Sequence, residues 1–346
     1  MKLFCTTYDL ALHHPFNVSY ARTPSGSAHV RTIVFAHIEQ DGVTGTGEAS
    51  PSKRYNETAE TVQKFVYSLN ASSLPSPEDK DTFLPAIGAH AAANTAAKCA
   101  VDMAWHDWWC KKNTISLGKY LAEEKLPLTG TNVTSFTIGI DELAVIEQKV
   151  REAEEYPILK IKLGTEYDEK IIETIRRVTN KVLRIDANEG WKTKEEALEK
   201  ITWLKGQNVE LIEQPLPADR DAEMPWLKER SPLPLFADES CGRLASIEGC
   251  AERFHGVNVK LMKSTGIAEA VKMIRRAREL GMKIMMGCFI ETSLAVTAAA
   301  HLARYCDYAD LDGAALCEND PYSGATIARG KLIVPESAGI GAVLRV

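Results

Sequence analysis

The sequence predicts an α/β protein, a barrel of alternating strands and helices preceded by a smaller α+β domain. Through the middle of the 346-residue chain, five short apolar runs end in the ionisable residues Lys162, Asp186, Glu213, Asp238 and Lys263, at intervals of 24, 27, 25 and 25 residues. That interval is the length of one strand, loop, helix and loop, and a (β/α) barrel carries its site on the carboxyl ends of its buried strands. The amino-terminal part lacks this rhythm and reads as strands followed by helices.

Residues 2–48 are strand-like, with a β-branched stretch at 30–38, a turn at Gln40-Asp41-Gly42 and the segment Gly45-Thr46-Gly47-Glu48, which together predict an antiparallel meander. Residues 58–69 and 89–112 have helical patterns, the second Ala-rich through Cys99-Ala100-Val101-Asp102-Met103-Ala104-Trp105, and residues 72–81, with Pro75 and Pro77, read as loop. This first domain is expected to end near Lys125. Beyond it, a strand is predicted at 133–140 and others at 283–286 and 308–311. The intervening helices show apolar faces such as Ile171, Ile172, Ile175 and Val178, or Ile267, Ala270, Val271 and Ile274. An open sheet gathers its ligand at one switch point, whereas charges on so many successive strand ends favour a closed barrel. The tail, 330–346, contains Lys331-Leu332-Ile333-Val334 and is expected to return to the first domain.

With 45% hydrophobic and 25% charged residues, composition fits an ordinary globular chain. A net charge of −6 and no polybasic block argue against nucleic acid. No run approaches the roughly 20 apolar residues that span a bilayer, and the first residues lack a signal-peptide core, so the expectation is no membrane and a cytoplasmic location. The eight cysteines are scattered without a C-x-x-C pair and are read as free thiols.

Any one of these charges alone is an ordinary cap or ion-pair member. Three carboxylates on three successive strand ends are not, and oxygen-only ligands suit Mg²⁺ or Mn²⁺. Such a cation implies an oxyanion substrate and stabilises the charge formed when the adjacent C–H proton is lost. Lys162 and Lys263 would then exchange that proton on opposite faces, with Lys160, on the same strand face as Lys162, helping to hold the substrate carboxylate and lowering its neighbour's pKa.

Lys160-Ile161-Lys162, Asp186-Ala187-Asn188, Glu213-Gln214-Pro215, Asp238-Glu239-Ser240 and Lys260-Leu261-Met262-Lys263 resemble the signature set of the enolase superfamily, in its muconate-lactonizing-enzyme subgroup. Gly45-Thr46-Gly47-Glu48 and residues 100–107 resemble its capping domain. The resemblance implies a (β/α)7β modified TIM barrel with an N-terminal α+β capping domain: residues 1–125 cap, 126–320 barrel, and 321–346 a segment returning to the cap. It also implies Mg²⁺ held by Asp186, Glu213 and Asp238, with Lys162 serving the L face and Lys263 the D face. The mechanism that comes with the family is a Lys or His base working beside Mg²⁺, which stabilises an ene-diolate.

Within the subgroup, Asp310-Leu311-Asp312 resembles the Asp-x-Asp motif with which dipeptide epimerases hold a free α-ammonium, and two acceptors on one strand face suit its three donors. Dipeptide epimerisation, with L-Ala-D/L-Glu as substrate and a place in murein peptide recycling, is therefore the expected activity. Other dipeptides, N-acylamino acid racemisation, o-succinylbenzoate synthesis and cycloisomerisation are the enzymatic alternatives, and an amino-acid-binding barrel is the non-enzymatic one. Arg22 is expected to read the substrate's distal carboxylate, with Arg54 and Tyr55 as rivals. Ser135, Glu291 and Thr292 are expected polar contacts. A homo-oligomer is compatible with the family. Gly42 to Gly47 does not form a nucleotide loop, His13-His14 lacks a partner to complete a metal site, and Trp105, Trp108 and Trp109 are expected in the core or an interface.

Overall fold

The computed structural model describes residues 1–19, 29–130 and 132–345. Strands β1 (Lys2–Ala11), β2 (Val30–Gln40) and β3 (Val43–Ala49) form the antiparallel meander, in that order. Four helices follow: α1 (Ala59–Ser68), α2 (Lys80–Ala89), α3 (Thr95–Lys112) and α4 (Leu117–Ala122). A side-chain carbon at Gly45 or Gly47 would overlap the carbonyls of Ala104 and Ala100, so the two glycines let β3 lie directly on the alanine face of α3. Trp105 and Trp108 are fully buried there. Helix α2 departs from the expectation. Pro85 lies inside it and removes a helical N–H, and buried Phe83 and Ile87 hold the helix against the core instead.

The second unit alternates as predicted. Its elements are β4 (Phe136–Ile138), α5 (Leu143–Glu152), β5 (Ile158–Lys162), α6 (Asp168–Val178), β6 (Val182–Asp186), α7 (Lys194–Lys205), β7 (Val209–Glu213), α8 (Met224–Arg230), β8 (Leu235–Ala237), α9 (Ile247–Arg253), β9 (Gly256–Lys260), α10 (Ile267–Glu279), β10 (Lys283–Gly287), α11 (Ser293–Ala303) and β11 (Tyr308–Asp310). The eight strands pair in parallel from β4 to β11, and a bridge from Thr134 to Ala309 joins the two ends of the row. That is a (β/α)7β barrel. The first strand is shorter than expected because Thr134 is spent on this closure and Val133 bridges Lys331.

The tail forms β12 (Tyr322–Ser323), β13 (Thr326–Ala328), β14 (Lys331–Ile333) and β15 (Val343–Leu344). It reaches the cap, where the Ile340 amide donates to Asp107 Oδ1 at 2.9 Å, and it also bonds the barrel entry, Thr134 N to Gly330 O at 2.8 Å. One apolar core runs through both units, and Leu211, Phe236 and Met285 fill a separate layer inside the barrel. All eight cysteines are free. No helix among the described residues is long and apolar enough to cross a membrane.

Candidate active site

Lys160 and Lys162 sit two residues apart on β5, so both point to the barrel interior. Across the register, Lys162 lies beside Asp186 and Asp186 beside Glu213, while Asp238 follows the end of β8. The carboxylates of Asp186, Glu213 and Asp238 are buried, each with an oxygen within 4.8 Å of the others. Lys162 Nζ donates to Asp186 Oδ2 at 2.7 Å. Lys160 Nζ lies 3.0 Å from Asp186 Oδ2, 2.8 Å from Glu213 Oε2 and 2.7 Å from Asp310 Oδ2.

Burial works against ionisation throughout, and charge decides the outcome. Burial would raise Asp186, but Lys160 and Lys162 pull it down to about 2. Glu213 is raised to about 7, by burial and then by the charge of Asp186. Burial would lower Lys160, yet Asp186, Asp310 and Glu213 outweigh it and hold the ammonium well above its usual range. Three buried carboxylates therefore compete for the positive charge on Lys160. Glu213 Oε2, close to that ammonium, has no hydrogen bond of its own. A buried, oxygen-rich cluster of this kind fits a hard dication.

The second lysine pair corrects the sequence reading. Lys260 ends β9 and lines the same cleft as Lys162, with Nζ 2.7 Å from Asp238 Oδ2. Lys263 lies beyond the strand, in the turn, and is not among the cleft-lining residues. Its ammonium donates to Asp238 Oδ1 at 2.5 Å, Asp238 O at 2.6 Å and Asn258 O at 3.1 Å. All three of its N–H donors are spent on protein acceptors, which fits a strut beneath Asp238 rather than a proton carrier. Lys260 lines the cleft from the sixth strand of the barrel, opposite the second strand that carries Lys162. Phe16 covers Lys162 at 5.6 Å and Phe289 covers Lys260 at 5.3 Å, ring centroid to ammonium.

The cleft, about 430 Å³, is walled by Lys160, Lys162, Lys260, Asp238, Asn188, Glu239, Asp310 and Asp312 among others. Asp310 ends β11 and accepts from Ser135 Oγ at 2.8 Å and Lys160 Nζ at 2.7 Å. Asp312 follows the strand and accepts from the Thr137 amide at 2.6 Å. Burial, then the charge of Asp310, raises Asp312 to about 6. Ser135 is therefore given to Asp310 and does not line the cleft. Thr292 is likewise corrected: it caps α11, and its amide and hydroxyl both donate to Glu48 of the cap. Glu291 is buried below the surface of the cleft and accepts from the Phe289 amide. Arg54 and Tyr55 line the cleft, but the Arg54 guanidinium is paired with Glu189, Nη2 to Oε1 at 2.9 Å. Arg22 lies outside the described residues.

Residues 3–121 match the family described as mandelate racemase / muconate lactonizing enzyme, N-terminal domain, and residues 143–345 match enolase C-terminal domain-like. The chain belongs to the enolase superfamily. Among its relatives are an L-Ala-D/L-Glu epimerase of Bacteroides thetaiotaomicron, 40% identical over 99% of this chain and 87% of the relative, and an L-Ala-D/L-amino acid epimerase of Pedosphaera parvula, 42% identical over 96% of each. A dipeptide epimerase from Cytophaga hutchinsonii, solved with Mg and the dipeptide D-Ala-L-Val, superposes with a TM-score of 0.89 at 28% identity, covering 100% of this chain and 96% of that one. The enolase-superfamily cap and barrel are thus accounted for over nearly the whole chain.

The sequence signal that would have selected Lys260 was present. Asn258 and Lys260 share the inward phase of β9, and Asn258 Nδ2 donates to Glu213 Oε1 inside the barrel. Even spacing pointed to Lys263 because the count ran past the end of the strand. The aromatic covers, Phe16 and Phe289, had no sequence signal beyond being apolar.

Proposed function

We propose that this enzyme is a Mg²⁺-dependent dipeptide epimerase acting on L-Ala-D/L-Glu, with Asp186, Glu213 and Asp238 as metal ligands and Lys162 and Lys260 as the two proton carriers. The observation that carries the reading is the placement of two lysines on opposite strands of one barrel, facing a single cleft that is also lined by Asp310, Asp312 and Asp238, the last clustered with the buried Asp186 and Glu213. A bound Mg²⁺ would neutralise the charge developing on the substrate carboxylate and, by occupying the triad, weaken the hold of Asp186 and Asp238 on the lysines.

The protein groups do the rest. Asp310 and Asp312 accept from the α-ammonium of the substrate's first residue, which places the α-carbon of the second residue between the lysines. Lys162 takes the proton from the L-configured face and Lys260 delivers one to the other, or the reverse from the D epimer. Phe16 and Phe289 keep water from the ammonium groups. Lys160 remains charged and balances the carboxylates. The substrate fits recycling of cell-wall peptide in the cytoplasm.

The test is α-proton exchange followed by NMR, with the Mg²⁺-loaded protein in D₂O. L-Ala-L-Glu is expected to lose its Glu α-proton signal and to yield the D epimer. Exchange of N-succinyl amino acids alone would overturn the ammonium-binding role of Asp310 and Asp312 and turn the reading to an N-acylamino acid racemase.

A further inference from the structure

Two carboxylates of the cap are buried against the amino termini of consecutive barrel helices. Asp102 of α3 accepts from the amides of Ile267 at 2.5 Å and Ala268 at 3.4 Å, at the start of α10. Glu48, near the end of β3 and fully buried, does the same at α11. Its Oε1 accepts from the Thr292 amide at 2.8 Å, and its Oε2 from the Thr292 hydroxyl at 2.5 Å and the Ala295 amide at 3.2 Å. Neither carboxylate is paired with a lysine or arginine among the described residues. Burial and then the charge of Glu291 raise the Glu48 carboxyl to about 8 despite its hydrogen bonds from the helix, and Asp102 also has His106 Nδ1 at 3.3 Å. The hydrogen bonds to the helix amino termini leave each side chain little room for displacement.

The two contacts differ in what lies beside them. Residues 98–106 and 264–270, around the Asp102 contact, contribute nothing to the cleft lining. The Glu48 contact joins two segments that do line it. On one side, Ser50 to Tyr55 follow Glu48 directly. On the other, Cys288, Phe289 and Ile290 lead into Thr292. A further bond, Ser50 Oγ to Ile290 O at 2.6 Å, reinforces the junction, and Tyr55 stacks on Phe289 at 6.1 Å between ring centroids. Phe289 in turn covers Lys260.

We infer that Glu48 is a positioning residue for the substrate cleft, holding the cap segment 50–55 in register with the barrel segment 288–290, whereas Asp102 only fastens the domains. The inference rests on the epimerase reading for its kinetic consequence but not for its structural one. Replacing Glu48 by Gln puts an NH2 group where an acceptor oxygen met the Ala295 or the Thr292 amide, neither of which can accept, so one of these backbone bonds is lost. The two cleft segments then lose their common anchor, and the substrate meets a wall that must be ordered on binding.

The experiment compares Glu48→Gln, Thr292→Val and Asp102→Asn in the full-length, Mg²⁺-loaded protein. Glu48→Gln is expected to raise KM for L-Ala-L-Glu roughly tenfold with kcat within about twofold of the parent, and Thr292→Val to raise KM by a smaller factor. Asp102→Asn is expected to lower Tm with KM nearly unchanged. Hydrogen–deuterium exchange adds a readout that needs no substrate, with faster exchange at 50–55 and 288–292 in Glu48→Gln but not in Asp102→Asn. Equal KM changes in the Glu48 and Asp102 variants, or protection at both segments that is unchanged in Glu48→Gln, would overturn the inference. A parent protein that exchanges no dipeptide would overturn the epimerase reading, and the deuterium-exchange comparison would still decide whether Glu48 anchors the cleft. Should Glu48→Gln fail to fold, Thr292→Val carries both comparisons.

Discussion

The barrel bears two lysine pairs on opposite strands, and they are built differently. On β5, Lys160 and Lys162 are two residues apart, and both enter the cleft. On β9, Lys260 and Lys263 are three apart, and the strand ends between them. Lys260 enters the cleft, and Lys263 turns under Asp238, where three acceptors take its protons. Lys162 and Lys260 each hold one carboxylate oxygen, of Asp186 and Asp238, at the cleft, whereas Lys160 and Lys263 each meet three protein acceptors, and the order is reversed: the more heavily bonded lysine comes first on β5 and second after β9. Strand phase, not residue type or spacing, assigns the role.

The largest expected effect tests that assignment directly. Lys162→Ala and Lys260→Ala should each lower epimerisation by roughly a thousandfold, the loss typical of a removed general acid or base. Each variant should retain deuterium exchange with only one of the two epimers, because one face keeps its lysine. If Lys260→Ala epimerised normally, the two lysines of β9 would have to exchange roles.

A smaller effect is expected beneath the cleft. Asp238 is held well below the usual carboxylate range, because Lys260 and Lys263 outweigh the burial that would raise it. Lys263→Met leaves this buried carboxylate with one ammonium fewer and should destabilise the protein by about 3 kcal/mol in denaturant unfolding. Its loss of epimerisation should be less than that of Lys260→Ala. A variant as stable as the parent would show that Lys263 is not the strut of its pair.

The smallest effect lies at Asp312, two residues beyond the Asp310 that Lys160 contacts. Asp312 has the raised value, about 6, so it is ionised above that pH and protonated below it. An ammonium substrate loses an acceptor on protonation. KM for L-Ala-L-Glu should therefore rise as pH falls through about 6, and Asp312→Asn should flatten that dependence while raising KM at neutral pH. A pH profile shared by the parent and Asp312→Asn would assign the titration elsewhere.

The sequence by itself determined the barrel, the cap and the carboxylate triad. Each follows from short-range physics: the period-two and 3.6-residue patterns bury their apolar faces, and Asp186, Glu213 and Asp238 come at or directly after the ends of β6, β7 and β8. Helix α2 escaped because its stability comes from Phe83 and Ile87 reaching the core across Pro85, a contact local propensity does not contain. That Lys260 and not Lys263 lines the cleft comes from the tertiary structure alone, since it depends on where β9 stops. It also moved Thr292 and Ser135 from the cleft to Glu48 and Asp310, partners 244 and 175 residues away in the chain. A polar side chain that follows a strand or begins a helix has several acceptors within reach, and long-range packing alone determines which one it meets.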